Sequence, residues 1–416
     1  MRRSFPRRLV TSVLPLALAA CLVSGLAAVA LARPTAERPA TERVAGAAVS
    51  AAAVTDRKVD LERFAAPGPW KPAGSRAKYG RTYQVARWTS RWVSPGFDFT
   101  ELIASWSART PGSSWIEVQV RGRSATGAKT SWDVLARWAA QDKVVRRRSG
   151  GAQGDDGTRV ATDTWKSAGL SSYRIRIAAH RERGRKLPRV ALATAMTSRL
   201  PATAGPVSAP GVARGVELAV PRYSQMTHSG HYPQWGGGGE AWCSPTSTAM
   251  VLGYYGRLPG PGSYGWVPAG HPDPWVDATA RGTYDHAYDG TGNWPFNTAF
   301  AARRTGEAFV TRLRDLTDAE LLVKAGIPPV ISLAFGRGEL TGAPISSSAG
   351  HLLVVVGFTA TGDVIVNDPA AGSNDAVRRV YARGQLERLW LQASGGMAYV
   401  IRDPAHPLPA APGGNW

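Results

Sequence analysis

Three stretches in the first half of the chain alternate apolar and polar residues with the period of a half-buried strand: Trp115–Arg121, Tyr173–Ile177 and Val190–Thr194. Gly, Ser and Asp turns separate them, which predicts an antiparallel all-β, sandwich-like domain over 56–200. The pattern then changes. After a Pro/Ala/Gly linker at 201–213, helical and strand patterns mix through 214–405, followed by a C-terminal tail, 406–416. Ala249, Met250 and Tyr254 give one apolar face to a helix over 246–255, with Pro245 in its first turn and Gly256 as its stop. Helices are predicted over Phe296–Arg304 and over Asp318–Ala325, the latter capped by Thr317. Pro328–Ala334 starts a sheet, and Gly350–Phe358 and Asp363–Asp368 form a hairpin across Thr359–Gly362. The fold class expected is α+β, preceded by an all-β domain.

The N-terminus follows a different logic. Arg2, Arg3, Arg7 and Arg8 precede an apolar run from Leu9 to Ala32 that ends in small residues, the three-part pattern of a secretory signal over 1–32. Residues 33–55, rich in Ala, Pro, Thr and Val without a period, read as a flexible linker. Cleavage is ranked first. Two alternatives stay open: a lipoprotein box at Leu18-Ala-Ala-Cys21, and an uncleaved anchor, since the run reaches roughly the 20 residues a bilayer span needs. A twin-arginine variant, Arg2-Arg3, is weakened by Pro6. No later segment is apolar for long enough to span a membrane, so a secreted protein, in contact with the cell wall at most, is expected.

The formal charge is +20, and +16 remains once the four arginines of the signal are removed. Arg146-Arg147-Arg148 and Arg181–Lys186 look like exposed turns between strands, and neither carries a nucleic-acid motif. Adhesion to anionic envelope polymers, or simply a soluble arginine-rich surface, is the better account of the charge. Eight tryptophans fall in the β half (Trp70, Trp88, Trp92, Trp106, Trp115, Trp132, Trp138 and Trp165). A core role is preferred for them over an exposed carbohydrate platform.

Without the signal, one cysteine remains, Cys243. A lone thiol in an exported chain cannot close an internal disulfide, and this one sits at a helix start, where free N–H groups and the helix dipole favour a thiolate. The neighbouring run Gly236–Gly239 suggests backbone open to a ligand. A thiolate nucleophile needs a base and the base an orienter. His351 begins the apolar strand of the hairpin. If Phe358 faces Asp363, His351 falls opposite Ala370 and Asp368 lies diagonally on its face, whereas a slip of one residue would select Asn367.

With these residues in place, a family resemblance becomes specific. Gln225, Trp242-Cys-Ser-Pro-Thr246, Gly350-His351 with its apolar strand, and Val366-Asn-Asp-Pro369 resemble the bacteriocin-processing-type cysteine peptidases, cysteine-peptidase family 39, in their secreted stand-alone bacterial members. The likeness spans about 215–403, including Gly292–Asn297 and Arg378–Tyr381. It implies a papain-like domain with Cys243 as nucleophile, His351 as general base and acid, Asp368 as orienter and Gln225 as oxyanion donor, with Gln234 as the runner-up donor. Ser244 departs from the glycine that usually follows the nucleophile, a difference that matters if the site needs positive φ. No transporter domain accompanies it, so leader cleavage during export is not implied.

The reading is thus a secreted, monomeric cysteine peptidase that cleaves peptide or isopeptide bonds through a thioester, with no cofactor. The alternatives are a catalytically silent envelope-binding protein, or an amidase or transpeptidase on cell-wall peptides. The expected partners are a peptide or protein substrate and a cell-wall polymer at the β domain, with no nucleic acid. His228, His231, His271, Asp273 and His286 match no familiar zinc spacing and read as loop residues near a cleft, so no metal is expected. Tyr284–Asn293 lacks the last glutamate of a calcium loop and is expected to shape a cleft wall. Trp235, Trp242, Trp266 and Trp294 either line the groove or pack.

Overall fold

A computed structural model describes residues 56–416, and the predicted signal and the linker at 33–55 lie outside the described residues. No helix among the described residues is long and apolar enough to cross a membrane. The N-terminal half is all β. In chain order its strands are β1 (Lys58–Ala65), β2 (Lys71–Lys78), β3 (Arg81–Thr89), β4 (Phe99–Arg109), β5 (Trp115–Arg123), β6 (Asp133–Trp138), β7 (Arg148–Ser149), β8 (Thr158–Ala161), β9 (Thr164–Leu170), β10 (Ser172–Glu182) and β11 (Arg189–Arg199). They form two antiparallel sheets, ordered β1-β11-β4-β9-β8 and β2-β3-β10-β5-β6-β7. Their inner faces share one core; Phe99 of the first sheet meets Tyr173 of the second edge to face at 5.7 Å. Five of the eight tryptophans are buried, while Trp70, Trp92 and Trp132 are half-buried. Arg123 and Arg174 cover Trp92, and Arg121 and Arg176 cover Trp132, so neither ring is bare.

The C-terminal half is mixed. Its helices are α1 (Cys243–Tyr254), α2 (Pro274–Thr283), α3 (Trp294–Thr305), α4 (Leu316–Lys324) and α5 (Arg383–Ser394). Its strands are β12 (Glu307–Arg312), β13 (Val330–Phe335), β14 (Ser348–Phe358), β15 (Val364–Asn367), β16 (Arg378–Tyr381) and β17 (Met397–Arg402), in one antiparallel sheet ordered β12-β17-β13-β14-β15-β16. The α4 cap differs from expectation. Asp315 accepts from the Thr317 N–H and is the N-cap, leaving Thr317 inside the first turn. Helix α1 has no single apolar face, because every residue from Ser244 to Leu252 is buried. Two of its buried hydroxyls find partners inside, Ser247 donating to the Leu352 carbonyl and Thr248 to Asn297, whereas that of Thr246 has none.

The two halves share core. Trp106 and Trp138 pack against Phe296 of α3 at 6.2 and 5.2 Å. Strand β4 is buried from Leu102 to Ala108, being pressed between its own sandwich and the second half. Arg147, expected in an exposed turn, is instead buried. Its guanidinium donates to the carbonyls of Ala139, Tyr284 and Arg281, crossing from one half to the other, while Arg146 and Arg148 stay exposed. Three charged hydrogen bonds to backbone offset the desolvation that lowers its pKa to about 10. Asp285 is a second tie, accepting from the Ser149 N–H and from Asn293. The stretch between the halves is also held. Glu320 accepts from the N–H groups of Gly211 and Ala213, and Glu387 from that of Ser208. The tail docks too, with Asn415 buried and donating to the Arg312 carbonyl and to Asp318.

Candidate active site

Cys243 is the first residue of α1 and has Trp242 as N-cap without a side-chain cap bond. Its N–H therefore belongs to the open N-terminal set that has no intrahelical acceptor. Ser244 is helical and unstrained, and its hydroxyl pairs with that of Tyr399 at 2.9 Å, so serine fits where the resemblance led one to expect glycine.

His351 lies near the start of β14, paired with Leu333 of β13 on one side. On the other side β14 meets β15 with Phe358 facing Val364 rather than Asp363. A bulge at Val356 then shifts the register by one, so that Val354 faces Asn367. The two departures cancel. The expected register is thereby restored at Val354, and His351 Nε2 meets Asp368 Oδ1 at 2.7 Å. Asn367 points to the other face, where its amide donates to the carbonyls of Val220 and Pro221. The extra residue has a use of its own, as the Val356 carbonyl accepts from Leu218 in the segment that leads into the site.

Asp368 is fully buried and well supplied with donors. Oδ1 accepts from His351 and from the Ala370 N–H, and Oδ2 accepts from the Tyr381 hydroxyl at 2.7 Å. Burial alone would raise its pKa, but the His351 charge and these hydrogen bonds hold it below the ordinary carboxylate value. For His351, burial alone would favour the neutral ring. The charge and hydrogen bond of Asp368 outweigh it, and Cys243 adds a hydrogen bond and a charge interaction of the same sign, raising the imidazole to about 10. Tyr381 was not assigned a role from sequence. It lies on β16, thirteen residues beyond Asp368, and no local spacing links the two.

Gln225 opens a short 3-10 turn, Gln225–His228. Its N–H donates to the Pro369 carbonyl, just beyond Asp368, and its Nε2 donates to the Glu240 carbonyl at 2.5 Å. Cys243, His351 and Gln225 line one cleft of about 450 Å³; Gln234 is exposed and does not reach it. Further lining comes from Tyr288–Gly292, Trp294, Ile345 and Ser347–Gly350, and from Thr162 and Asp163 in the β8–β9 turn of the N-terminal half. The loop 284–293 thus shapes a wall as expected. Of the four tryptophans near the nucleophile, Trp294 lines the cleft, while Trp242 is fully buried and donates to the Trp235 carbonyl. Trp235 and Trp266 pack edge to face at 5.0 Å. The glycine run departs from expectation. Gly236 does line the cleft, but a Cβ on Gly239 would sit 2.1 Å from the His228 carbonyl, so that glycine serves close packing.

The histidines read as separate loop residues require correction. His228, His231 and His271 converge with Asp277 of α2. Asp273 and His286 stand apart: Asp273 accepts from Asn374, and the His286 ring packs on Tyr284. None of the four converging residues lines the cleft.

Comparison with known families now has a geometry to attach to. Residues 217–398 match the Peptidase C39 like family, and residues 37–198 match the Peptidase C39 N-terminal domain. No curated protein matches the chain. The C39-like match suggests a cysteine peptidase. Successive matches thus take in both halves of the chain, and together they support a C39-family peptidase.

Proposed function

We propose that the protein is an exported cysteine peptidase with a papain-like catalytic domain, in which Cys243, His351 and Asp368 form the catalytic triad. One observation carries this reading: the one thiol among the described residues, at a helix N-terminus, shares the wall of an open cleft with an imidazole that a buried carboxylate holds from behind, and it helps to raise that imidazole. The thiolate sulfur attacks the scissile carbonyl carbon. The Cys243 N–H and the Gln225 side chain receive the oxygen as it gains charge. As the C–N bond breaks, the His351 imidazolium gives its proton to the leaving amine, and a thioester remains on Cys243. Neutral His351 then takes a proton from water, which attacks the thioester and frees the acid. Asp368 keeps Nε2 protonated and turns the other ring nitrogen toward sulfur. The turn at Thr162 and Asp163 supports a role for the β domain in shaping substrate access. Export follows from the predicted signal over 1–32.

The test is alkylation and turnover on the purified mature chain. A fluorescent iodoacetamide should label Cys243 at neutral pH, and His351→Ala should cut both the labelling rate and hydrolysis of a peptide library by at least about 100-fold. Equal labelling in wild type and His351→Ala, with no peptide cleaved by either, would favour a silent binding protein.

A further inference from the structure

We propose that His228, His231, His271 and Asp277 form a structural zinc site. His228 closes the 3-10 turn that Gln225 opens, His231 follows it by three residues, His271 precedes α2, and Asp277 lies in the first turn of α2. One ligand atom from each falls within a 4.8 Å cluster. The His228 Nδ1 to Asp277 Oδ2 separation is 3.0 Å, and that of His231 Nδ1 to Asp277 Oδ1 is 2.6 Å. His271 Nε2 lies 3.0 Å from His228 Nδ1 and 3.8 Å from Asp277 Oδ2. Zinc–nitrogen and zinc–oxygen bonds of about 2.0–2.2 Å at tetrahedral angles put ligand atoms about 3.3 Å apart, the middle of this range.

The hydrogen bonding inside the cluster does not close by itself. Asp277 is fully buried, yet its Oδ2 accepts no hydrogen bond, although it faces imidazole nitrogens at 3.0 and 3.8 Å. An ionised carboxylate oxygen left so in a protein interior is costly. A cation bound between Oδ2 and the three nitrogens removes that cost and uses the nitrogens as ligands. His228 Nε2 is also buried without a partner, and zinc on Nδ1 does not change that. Three imidazoles and a single carboxylate disfavour calcium and magnesium, which take oxygen ligands, and suit four-coordinate zinc. Since the protein supplies all four ligands and none lines the cleft, the ion is structural. It clasps the turn carrying Gln225 to α2.

The experiment uses the full-length chain, expressed with added zinc and purified without a histidine tag or chelator. Elemental analysis should find about one zinc per chain. Removing the ion with a chelator should lower Tm by about 5 °C or more, and zinc chloride should restore it. Cobalt(II) added to the stripped protein should give the intense visible absorption of a tetrahedral site. His231→Ala, at a partly exposed position, should retain the circular dichroism of the fold while holding at least about tenfold less zinc. Stripped wild type that neither rises in Tm with zinc nor develops the cobalt spectrum would overturn the site, as would a folded His231→Ala that keeps its full zinc content. None of these readouts depends on Cys243, so failure here leaves the peptidase reading standing, and an inactive peptidase leaves the metal site standing.

Discussion

Among the described residues, two buried aspartates face histidines, and they are built in opposite ways. Asp368 has a donor for each oxygen: His351 and the Ala370 N–H on Oδ1, and Tyr381 on Oδ2. Asp277 meets three imidazoles but leaves Oδ2 without a hydrogen bond. The first carboxylate is complete as it stands and serves to orient and charge one imidazole. The second is complete only when a cation joins it. Burial and residue type are alike at both, so neither separates an orienting carboxylate from a metal ligand. The accounting of lone pairs does.

The comparison can be broken most sharply at the carboxylates. Asp368→Asn should lower kcat/KM by about 1,000-fold or more, because the amide no longer holds the required tautomer and charge of His351. The zinc content of that variant should stay at the wild-type level. Hydrolysis within a factor of ten of wild type, measured on the best peptide from the library, would show that Asp368 is not the orienter. A smaller effect is expected at Tyr381→Phe. It removes one donor from a buried carboxylate and leaves the other two, which corresponds to about 1.5–3 kcal/mol and a fall in kcat of about 10- to 150-fold, with KM nearly unchanged. A change in KM alone would move Tyr381 out of the site's electrostatics.

The subtlest test is pH. His351 is raised to about 10, so its contribution to folding is complete below the ordinary imidazole value near 6.5 and fades as pH climbs toward 10. Asp368 is lowered, so its contribution is present above the ordinary value of 3.8 and disappears as pH falls through its folded value. Thermal stability relative to Asp368→Asn should therefore be greatest between about pH 4 and 6.5 and narrow as pH climbs toward 10. The alkaline limb of kcat/KM should likewise lie well above 6.5, where the imidazolium that protonates the leaving amine is lost. A limb at the free-imidazole value would mean that the ion pair does not persist in solution.

Much of the site could be read along the chain because its parts are local. Pro245 and Gly256 bracket the helix, Cys243 falls at its start, and a hairpin of known parity brings Asp368 to the face of His351. Even there the outcome rested on two compensating departures, a longer turn and a bulge at Val356, that no alternation pattern announces. The strands β5, β10 and β11 were legible because at least part of each alternates between a buried and an exposed face. Strand β4 was not, because burial on both sides erases that period. Arg147 looked like surface for a related reason: an arginine beside two others reads as solvated until a second domain covers it.

The sequence by itself singled out Cys243 at a helix start, the pairing of His351 with Asp368 and the change of architecture near residue 200, because each shows in the local pattern of the chain. Only the tertiary structure decided that Tyr381 supports Asp368, that the β8–β9 turn borders the cleft, and that His228, His231 and His271 meet at Asp277. Those contacts join residues that lie beyond any one helix, strand or hairpin. Periodicity describes one element at a time, and it is the packing of elements against each other that selects which of their side chains meet.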